Sequence, residues 1–276
     1  MTIARRAIIA LLAFALLGGA AACSQEPEEP VLEPKIAPPL IAEAGVLRAG
    51  LDLSYPPFAG EDKGVKAGID VDLAAAIAER LGLKLEIVDV KPAELAAALS
   101  SGTVDIALGA TPITEAILAD VSTAGSYLTD GPAIFSVVAS GTDAPEYSEG
   151  SIDGLRVGAQ RESAAFWALE SEHGEGFTTG YDSLRQAIEA LVAGDVDVIV
   201  GAASVGTYIA RDYEDIRIVG QYGSAYPLGI AVRKDATELE TEVRTVLDTL
   251  ASEGVLDTIT RKWLGDFPKL EVREEQ

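Results

Sequence analysis

The chain has 276 residues, of which 48% are hydrophobic, and its mean hydropathy is +0.22. This is enough apolar material for two folded lobes with separate cores. The 44 acidic and 21 basic residues give a formal net charge of −23 at pH 7 and a pI near 4.3. Because nucleic acids and anionic membrane surfaces are bound through clustered lysine and arginine, this balance argues against both as partners.

Residues 1–22 have the pattern of a signal peptide. Arg5 and Arg6 precede an apolar run from Ala7 to Leu17, and small residues follow as far as Ala22. The apolar run is too short to span a bilayer comfortably. Cleavage would remove two of the 21 basic residues and none of the 44 acidic ones, so we expect the exported protein to be strongly acidic.

Cys23 is the only cysteine in the sequence and directly follows the small residues. Bacterial lipoproteins resemble this pattern and carry diacylglycerol on the new N-terminal cysteine, which favours lipidation at Cys23. Ala20-Ala21-Ala22 would also suit ordinary signal peptidase, and Cys23 would then be a free thiol. Residues 23–40 join this cysteine to a Pro- and Glu-rich segment that cannot bury a core, so we expect a tether. A lone cysteine excludes disulfides and multi-cysteine metal sites.

Beyond the tether, hydrophobic periodicity predicts alternating strands and helices. The predicted strands are Val46–Gly50, Leu85–Val90 and Val104–Leu108; the predicted helices are Asp70–Leu81 and a second one that begins at Pro92. Alternation of this kind predicts an α/β fold with a mostly parallel sheet flanked by helices. Asp70 is expected to cap the helix that it begins, since its carboxylate can accept the unpaired N–H groups there.

One stretch of sequence occurs twice. Residues 98–106 resemble residues 190–198 in order and chemistry, and each stretch continues to a Gly-Ala pair, at 109–110 and at 201–202. A helix, turn and strand used twice suggests two lobes of similar architecture. Ligands of open α/β sheets bind beyond the carboxyl ends of strands, so both Gly-Ala segments are site candidates.

Four segments in the same order resemble the bacterial extracellular solute-binding proteins of family 3, the amino-acid-binding type of ABC transporter substrate-binding protein. They are Gly50–Phe58, Gly68–Ala74, Tyr226–Lys234 and Gly254–Gly265. The resemblance covers nearly all of residues 46–267. It implies a two-lobed type II periplasmic binding protein in which each lobe holds a mostly parallel sheet flanked by helices.

The resemblance also implies how the lobes are divided and what the protein does. Residues 41–132 plus 225–276 would form the first lobe, residues 133–224 an inserted second lobe, and two hinge strands would join them. The expected protein is a monomer without a cofactor, in the periplasm or on the outer face of the cell membrane. It would hand a small polar solute, an amino acid or a carboxylated metabolite, to the permease of an ABC importer.

The candidate ligand contacts come from both lobes. In the family an aromatic residue of the Tyr-Pro-Pro-Phe region packs over the ligand, which implicates Tyr55 and Phe58, with Asp52 nearby. The alternative is that Phe58 belongs to the core. Thr111 stands where the family presents a hydroxyl group to the ligand, although it could instead be a turn residue.

Two further candidates lie in the second lobe. Ser163 precedes an apolar helical pattern, and the free N–H groups of a helix start favour an anion. Arg161, two residues earlier, is the most plausible cation for a ligand carboxylate. The alternatives are that Ser163 only caps the helix and that Arg161 is a solvated surface residue.

Both charged anchors of the family's amino-acid binders are absent here. Their carboxylate-binding arginine falls on Ala116 or Ile117, and their ammonium-binding aspartate falls on Ala202. The chain is therefore an atypical member, and we expect a small polar or carboxylated solute without an amino-acid head group. Amino acids are the second choice.

Two other functions fit the same fold: an accessory or sensory binding module, and an enzyme such as a dehydratase or lytic transglycosylase. An enzyme needs a positioned acid or base. The only histidine, His173, lies in a polar stretch that we expect to be a solvated helix end and loop. No Ser-His, metal-ligand or phosphate-loop pattern accompanies it, so we expect no catalytic or metal site.

Overall fold

In the computed structural model, residues 33–273 are described. The strands are β1 Val46–Leu51, β2 Ser54–Tyr55, β3 Ala59–Asp62, β4 Val65–Ala67, β5 Lys84–Asp89, β6 Ile106–Ala107, β7 Val121–Asp130, β8 Pro132–Val137, β9 Val157–Gln160, β10 Thr178–Tyr181, β11 Val198–Ala202, β12 Ile216–Gln221 and β13 Tyr226–Arg233. They form two five-stranded sheets, with strand orders β5-β1-β6-β13-β7 and β10-β9-β11-β8-β12, and a small three-stranded sheet, β2-β3-β4.

Helices connect the strands and cover the sheets. They are α1 Ile69–Arg80, α2 Leu95–Ser100, α3 Glu115–Asp120, α4 Ala164–His173, α5 Leu184–Ala193, α6 Ala203–Ala210, α7 Thr237–Ser252 and α8 Val255–Leu264. Helix α1 lies within one residue of its predicted bounds. The helix predicted from Pro92 begins as a 3₁₀ turn, Pro92–Glu94, before α2. No helix in residues 33–273 has both the length and the apolar character that a membrane crossing requires.

The two large sheets share one pairing pattern. In the first, β1 pairs in parallel with β5 and β6, and β13 pairs antiparallel with β6 and β7. In the second, β9 pairs in parallel with β10 and β11, and β8 pairs antiparallel with β11 and β12. Each sheet is therefore mixed, with two parallel and two antiparallel pairings. The duplicated sequence ends in β6 and β11, the middle strands of the two sheets, which confirms two lobes of similar architecture.

Apolar side chains fill both lobes. In the first, Leu47, Phe58 and Ile77 are fully buried in one cluster. Ile36 packs in the same cluster, and the Lys35 N–H donates to the Leu81 carbonyl at 2.9 Å, so the tether predicted for residues 23–40 was wrong for residues 35–40, which pack on the first lobe. In the second, the sheet is covered on both faces, because Ile199 packs in one cluster while Val198 and Val200 pack in the other. Successive side chains of a strand point to opposite faces, so an unbroken apolar strand marks a sheet buried on both sides.

The chain passes between the two sheets at Gly131 and again at residues 222–225. These crossings touch: a Cβ atom on Gly131 would lie 2.9 Å from the Cα atom of Ala225, so only glycine fits there. The C-terminal segment runs beside them. Leu270 packs in a core cluster of the second lobe, and the Ala225 N–H donates to the Glu271 carbonyl at 3.0 Å. The last described residues therefore do not pack with the first lobe alone.

Candidate ligand-binding cleft

Two cavities share Tyr55 in their lining. The first, of about 460 Å³, lies on the side of the first lobe. The second, of about 510 Å³, lies on the side of the second lobe and the hinge. We call the two together the cleft. The first cavity is lined by Asp52, Tyr55, Pro92, Ala93, Leu95, Ala96, Gly109, Ala110, Thr111, Pro112, Ile117, Asp120 and Val121. The second is lined by Tyr55, Pro132, Gln160, Ser163, Ala164, Ala165, Ala168, Leu184, Gly201, Ala202, Val205, Ser224 and Tyr226.

The structure separates the two aromatic candidates. Tyr55, at the end of β2, is 40% exposed and presents its ring to the cleft. Phe58 is 0% exposed and lies in the core of the first lobe, so the expected contact between Phe58 and the ligand is not found. The two rings stack at 5.6 Å between centroids with an interplanar angle of 10°. Phe58 therefore supports the Tyr55 ring from behind.

Asp52 faces the first cavity with one oxygen already engaged. Its Oδ1 accepts hydrogen bonds from Lys91 Nζ at 2.7 Å, Ser54 Oγ at 2.6 Å and Ser54 N at 3.0 Å. Burial works against ionisation of this carboxylate, but the bonds from Lys91 and Ser54 outweigh it and lower the pKa of Asp52. Asp52 is therefore an ionised group whose charge is largely balanced by Lys91.

Thr111 lines the first cavity and is 7% exposed. Its hydroxyl donates to the Leu108 carbonyl at 2.6 Å. The hydroxyl proton is therefore used in this bond, but the hydroxyl oxygen can still accept a hydrogen bond from a ligand. The structure thus places Thr111 where both its expected ligand contact and its turn role are possible.

Asp70 does not cap its helix. The N-cap of α1 is Gly68, without a side-chain cap bond. Instead, Asp70 Oδ2 accepts from the N–H groups of Gly109 at 2.7 Å and Ala110 at 3.1 Å. The predicted capping role was wrong. The Asp70 carboxylate is fully buried, and the fold places the N–H groups of the loop after β6 within hydrogen-bond distance of it. That loop lines the first cavity.

The two candidates of the second lobe differ in orientation. Ser163 caps α4, since its Oγ accepts from Phe166 N at 3.1 Å, and it also lines the second cavity. Arg161 is not among the lining residues, and its side chain pairs with Asp182 at 3.3 Å on the surface. The proposed carboxylate contact of Arg161 therefore has no support in this arrangement.

A buried carboxylate lies beside the aromatic part of the cleft. Asp130, 3% exposed, ends β7 next to the hinge. Burial raises the pKa of Tyr55 and of Tyr226, and the negative charge of Asp130 raises both further. Both phenols therefore stay protonated and can donate a hydrogen bond to a ligand.

The positions of the missing anchors can be compared with the cleft. Of the two positions for the arginine, Ala116 and Ile117, Ile117 lines the first cavity; Ala202, the position of the aspartate, lines the second. Among residues 33–273, no lysine or arginine lines either cavity. A ligand carboxylate would thus find no basic side chain on the cleft surface.

Sequence reasoning missed two residues that line the cleft, Gln160 and Tyr226, and Lys91 beside it. Lys91 ends the loop after β5 and pairs with Asp52, a partner 39 positions away in the sequence. Gln160 ends β9, and Tyr226 begins β13 at the hinge; both line the second cavity. Tyr226 belongs to Tyr226–Lys234, one of the four segments that resemble the family, and this resemblance could have identified it as a site residue.

The expected solvation of His173 was wrong. Its side chain is only 10% exposed, stacks on Phe177 with centroids 4.2 Å apart, and lies 3.0 Å from an Asp153 oxygen through Nδ1. The stretch around His173 is polar in sequence, but the ring of Phe177 covers the histidine side chain. The cavities of the cleft do not include His173.

The chain is similar in sequence to amino-acid-binding proteins. The chain is 28% identical over 228 residues to a putative ABC transporter arginine-binding protein 2 of Escherichia coli K12, covering 80% of this chain and 91% of that protein. It is 24% identical over 264 residues to the L-cystine-binding protein TcyJ of the same organism, and the match covers 95% of this chain and 96% of that protein.

A solved ancestral cationic amino acid solute-binding protein, AncCDT-1, has a TM-score of 0.71 at 28% identity, covering 80% of this chain and 96% of that one. A crystal structure of AncCDT-1 described as a precursor of cyclohexadienyl dehydratase has a TM-score of 0.58 at 29% identity. The match covers 80% of this chain and 95% of that one. Residues 47–266, well over half of the sequence, match the profile of one family. This chain belongs to the bacterial extracellular solute-binding proteins, family 3.

Proposed function

We propose that this protein is an extracytoplasmic lipoprotein that binds a small polar solute between two closing lobes and delivers it to an ABC importer. The observation that carries the proposal is a cleft lined from both lobes, with Tyr55 shared by its two cavities. Membership of a family of solute-binding proteins supports a binding role. Closure of the lobes would bury the solute on both sides.

The lining of the cleft narrows the class of solute. Among residues 33–273, the charged side chains that line it, Asp52 and Asp120, are acidic, and no basic side chain lines either cavity. Lys91 lies beside the first cavity, where it pairs with Asp52. Burying a carboxylate without a basic partner is costly. We therefore propose an uncharged or cationic polar solute without an α-amino-acid head group, held over the Tyr55 ring. The sequence-based expectation of a carboxylated solute depends on Arg161, which pairs with Asp182 instead, and on the helix start at Ser163, whose hydroxyl caps the helix.

A thermal-shift screen with matched compounds tests this proposal. Phenethylamine, L-phenylalanine and 3-phenylpropionate share an apolar body and differ only in charged groups; agmatine and L-arginine form a second set. The proposal predicts that an amine raises the melting temperature more than its amino acid, and that the acid has no effect. A larger shift from 3-phenylpropionate than from phenethylamine would contradict the proposed solute class.

Variants connect any shift to the cleft. Tyr55→Ala should abolish it, because the ring that both cavities share is removed. Tyr213→Ala is the matched control, since Tyr213 packs beside a core cluster of the second lobe and lines neither cavity of the cleft. Equal loss in both variants would contradict binding at the cleft.

The missing anchors also favour a second candidate, an accessory or sensory module that is not coupled to transport. Genes for an importer permease and ATPase beside the gene for this protein would favour transport. Their absence, together with a screen without any shift, would favour the accessory role.

A further inference from the structure

The loop at residues 109–111 lines the first cavity and has unusual backbone dihedral angles. Gly109 has a φ of +86° and Ala110 a φ of +52°. Glycine adopts such values freely, but an alanine there brings its Cβ atom too close to the backbone. Thr111 follows directly and lines the cavity. Something must hold Ala110 in this conformation, because its own preferences do not.

Asp70 is the group that holds it. Both N–H groups of the loop, from Gly109 and Ala110, donate to the same oxygen of the Asp70 carboxylate, at 2.7 and 3.1 Å. Hydrogen bonds to an ionised acceptor are the stronger kind. Asp70 is 0% exposed, so water cannot compete for its oxygens.

The second oxygen of Asp70 indicates that stability alone does not explain this residue. Among residues 33–273, Asp70 Oδ1 makes no hydrogen bond of normal geometry, and neither does the Tyr127 hydroxyl. Burial raises the pKa of Asp70 to about 6, although the Tyr127 hydroxyl and the two loop N–H groups act on the carboxyl in the opposite direction. A buried, incompletely paired carboxylate costs stability. What the Asp70 carboxylate provides is the fixed conformation of the loop.

We propose that Asp70 is a positioning residue for ligand binding, which fixes Gly109 and Ala110 so that Thr111 is presented to the cleft. This inference rests on the proposed function, in which the cleft binds a solute. Asp70 itself lines neither cavity, so it acts through the loop.

The test needs no ligand, because it reads the two loop amides by NMR. In the wild type, the amide shifts of Gly109 and Ala110 should titrate with a midpoint near pH 6, following the carboxylate that they contact. In Asp70→Asn the titration should vanish, and hydrogen exchange at both amides should quicken by about tenfold, since a neutral acceptor replaces an ionised one. Global stability at neutral pH should not fall, because a buried charge is removed.

Asp72→Asn is the matched control. Asp72 lies on the same helix and bonds Lys262 and Trp263 instead of the loop, so this variant should leave both amides unchanged. A merely structural role for Asp70 would lower global stability and quicken exchange throughout the first lobe. That result, or loop amides that do not titrate in the wild type, would overturn the proposal.

A double variant tests the strain directly. Ala110→Gly removes the backbone penalty that Asp70 offsets. Asp70→Ala should therefore lower the melting temperature less in an Ala110→Gly background than alone, whereas equal losses would count against the proposal. A solute screen without any binding would contradict the proposed function and leave the loop measurements valid, so the two failures are distinguishable.

Discussion

The carboxylate of Asp130, at the end of β7, accepts hydrogen bonds from both the backbone N–H and the hydroxyl of Ser204, at the start of α6. The N–H contact measures 3.0 Å, and Asp130 also accepts from Gly131 N at 2.9 Å. Both side chains are buried. One carboxylate thus ties the hinge crossing at Gly131 to the first turn of a helix in the second lobe, where a negative charge is favoured.

Ser204→Ala tests the strength of this connection. The variant leaves one oxygen of a buried carboxylate unpaired, so we expect the free energy of unfolding to fall by about 1–3 kcal/mol. Urea denaturation measures it. Ser252→Ala is the control, because that hydroxyl lies on the exposed end of α7 and should change little. Equal effects of the two substitutions would rule out the connection as a source of stability.

Asp70 makes stability depend on pH in a known direction. Its pKa in the folded protein is about 6, above the ordinary value of 3.8, because burial disfavours the charged form. Protonation therefore favours the folded state: the contribution is complete below pH 3.8 and is lost as pH rises through about 6. The difference corresponds to roughly 3 kcal/mol.

Asp70→Asn should remove this loss. Between pH 4 and pH 7.5, the free energy of unfolding of the wild type should fall relative to that of Asp70→Asn by up to roughly 3 kcal/mol. Denaturation at several pH values gives both curves, and Asp72→Asn should follow the wild type. Parallel curves for wild type and Asp70→Asn would contradict the raised pKa.

Ordinary zwitterionic amino acids should bind weakly. Truncating one partner of a buried, charge-assisted pair typically costs about 2–5 kcal/mol, or about 30- to 5,000-fold in affinity. The family's arginine falls on Ala116 or Ile117 and its aspartate on Ala202, and both Ile117 and Ala202 line the cleft. Calorimetry with the twenty amino acids and L-cystine should find no submicromolar binding. Submicromolar affinity for any of them would refute the argument.

The protein should become more compact on binding. Its lobes are joined by narrow crossings at Gly131 and residues 222–225, and a solute that contacts both cavities is buried by closure. X-ray scattering of the protein with phenethylamine or agmatine, whichever shifts the melting temperature, should show a smaller radius of gyration. An unchanged radius at saturation would speak against closure.

Membrane attachment through Cys23 is a prediction from the sequence, and Cys23 lies outside the described residues. The acylatable thiol follows the cleavage site and precedes a Pro- and Glu-rich segment. Labelled palmitate should enter the wild type but not Cys23→Ser. Equal labelling of both would exclude lipidation at this position.

The sequence alone determined the α/β class and, as far as residue 108, the alternation of the main strands and helices. Helix α1 and strand β1 were predicted within about one residue, because hydrophobic periodicity is a local property that survives folding. The duplicated segment predicted two similar lobes, and the middle strands β6 and β11 confirm them. Tyr55 and Thr111 were candidates from the sequence, and both line the cleft; their contact with a ligand stays a prediction.

Only the tertiary structure decided where each candidate side chain lies and what it contacts. The sequence could not show that Phe58 is buried behind Tyr55 or that Arg161 pairs with Asp182, 21 positions away. Asp70 is the clearest case: a local rule made it a helix cap, whereas its donors lie 39 and 40 positions further along the chain. Hydrogen bonds and burial depend on which strands the sheet brings together, and residue spacing does not contain that information.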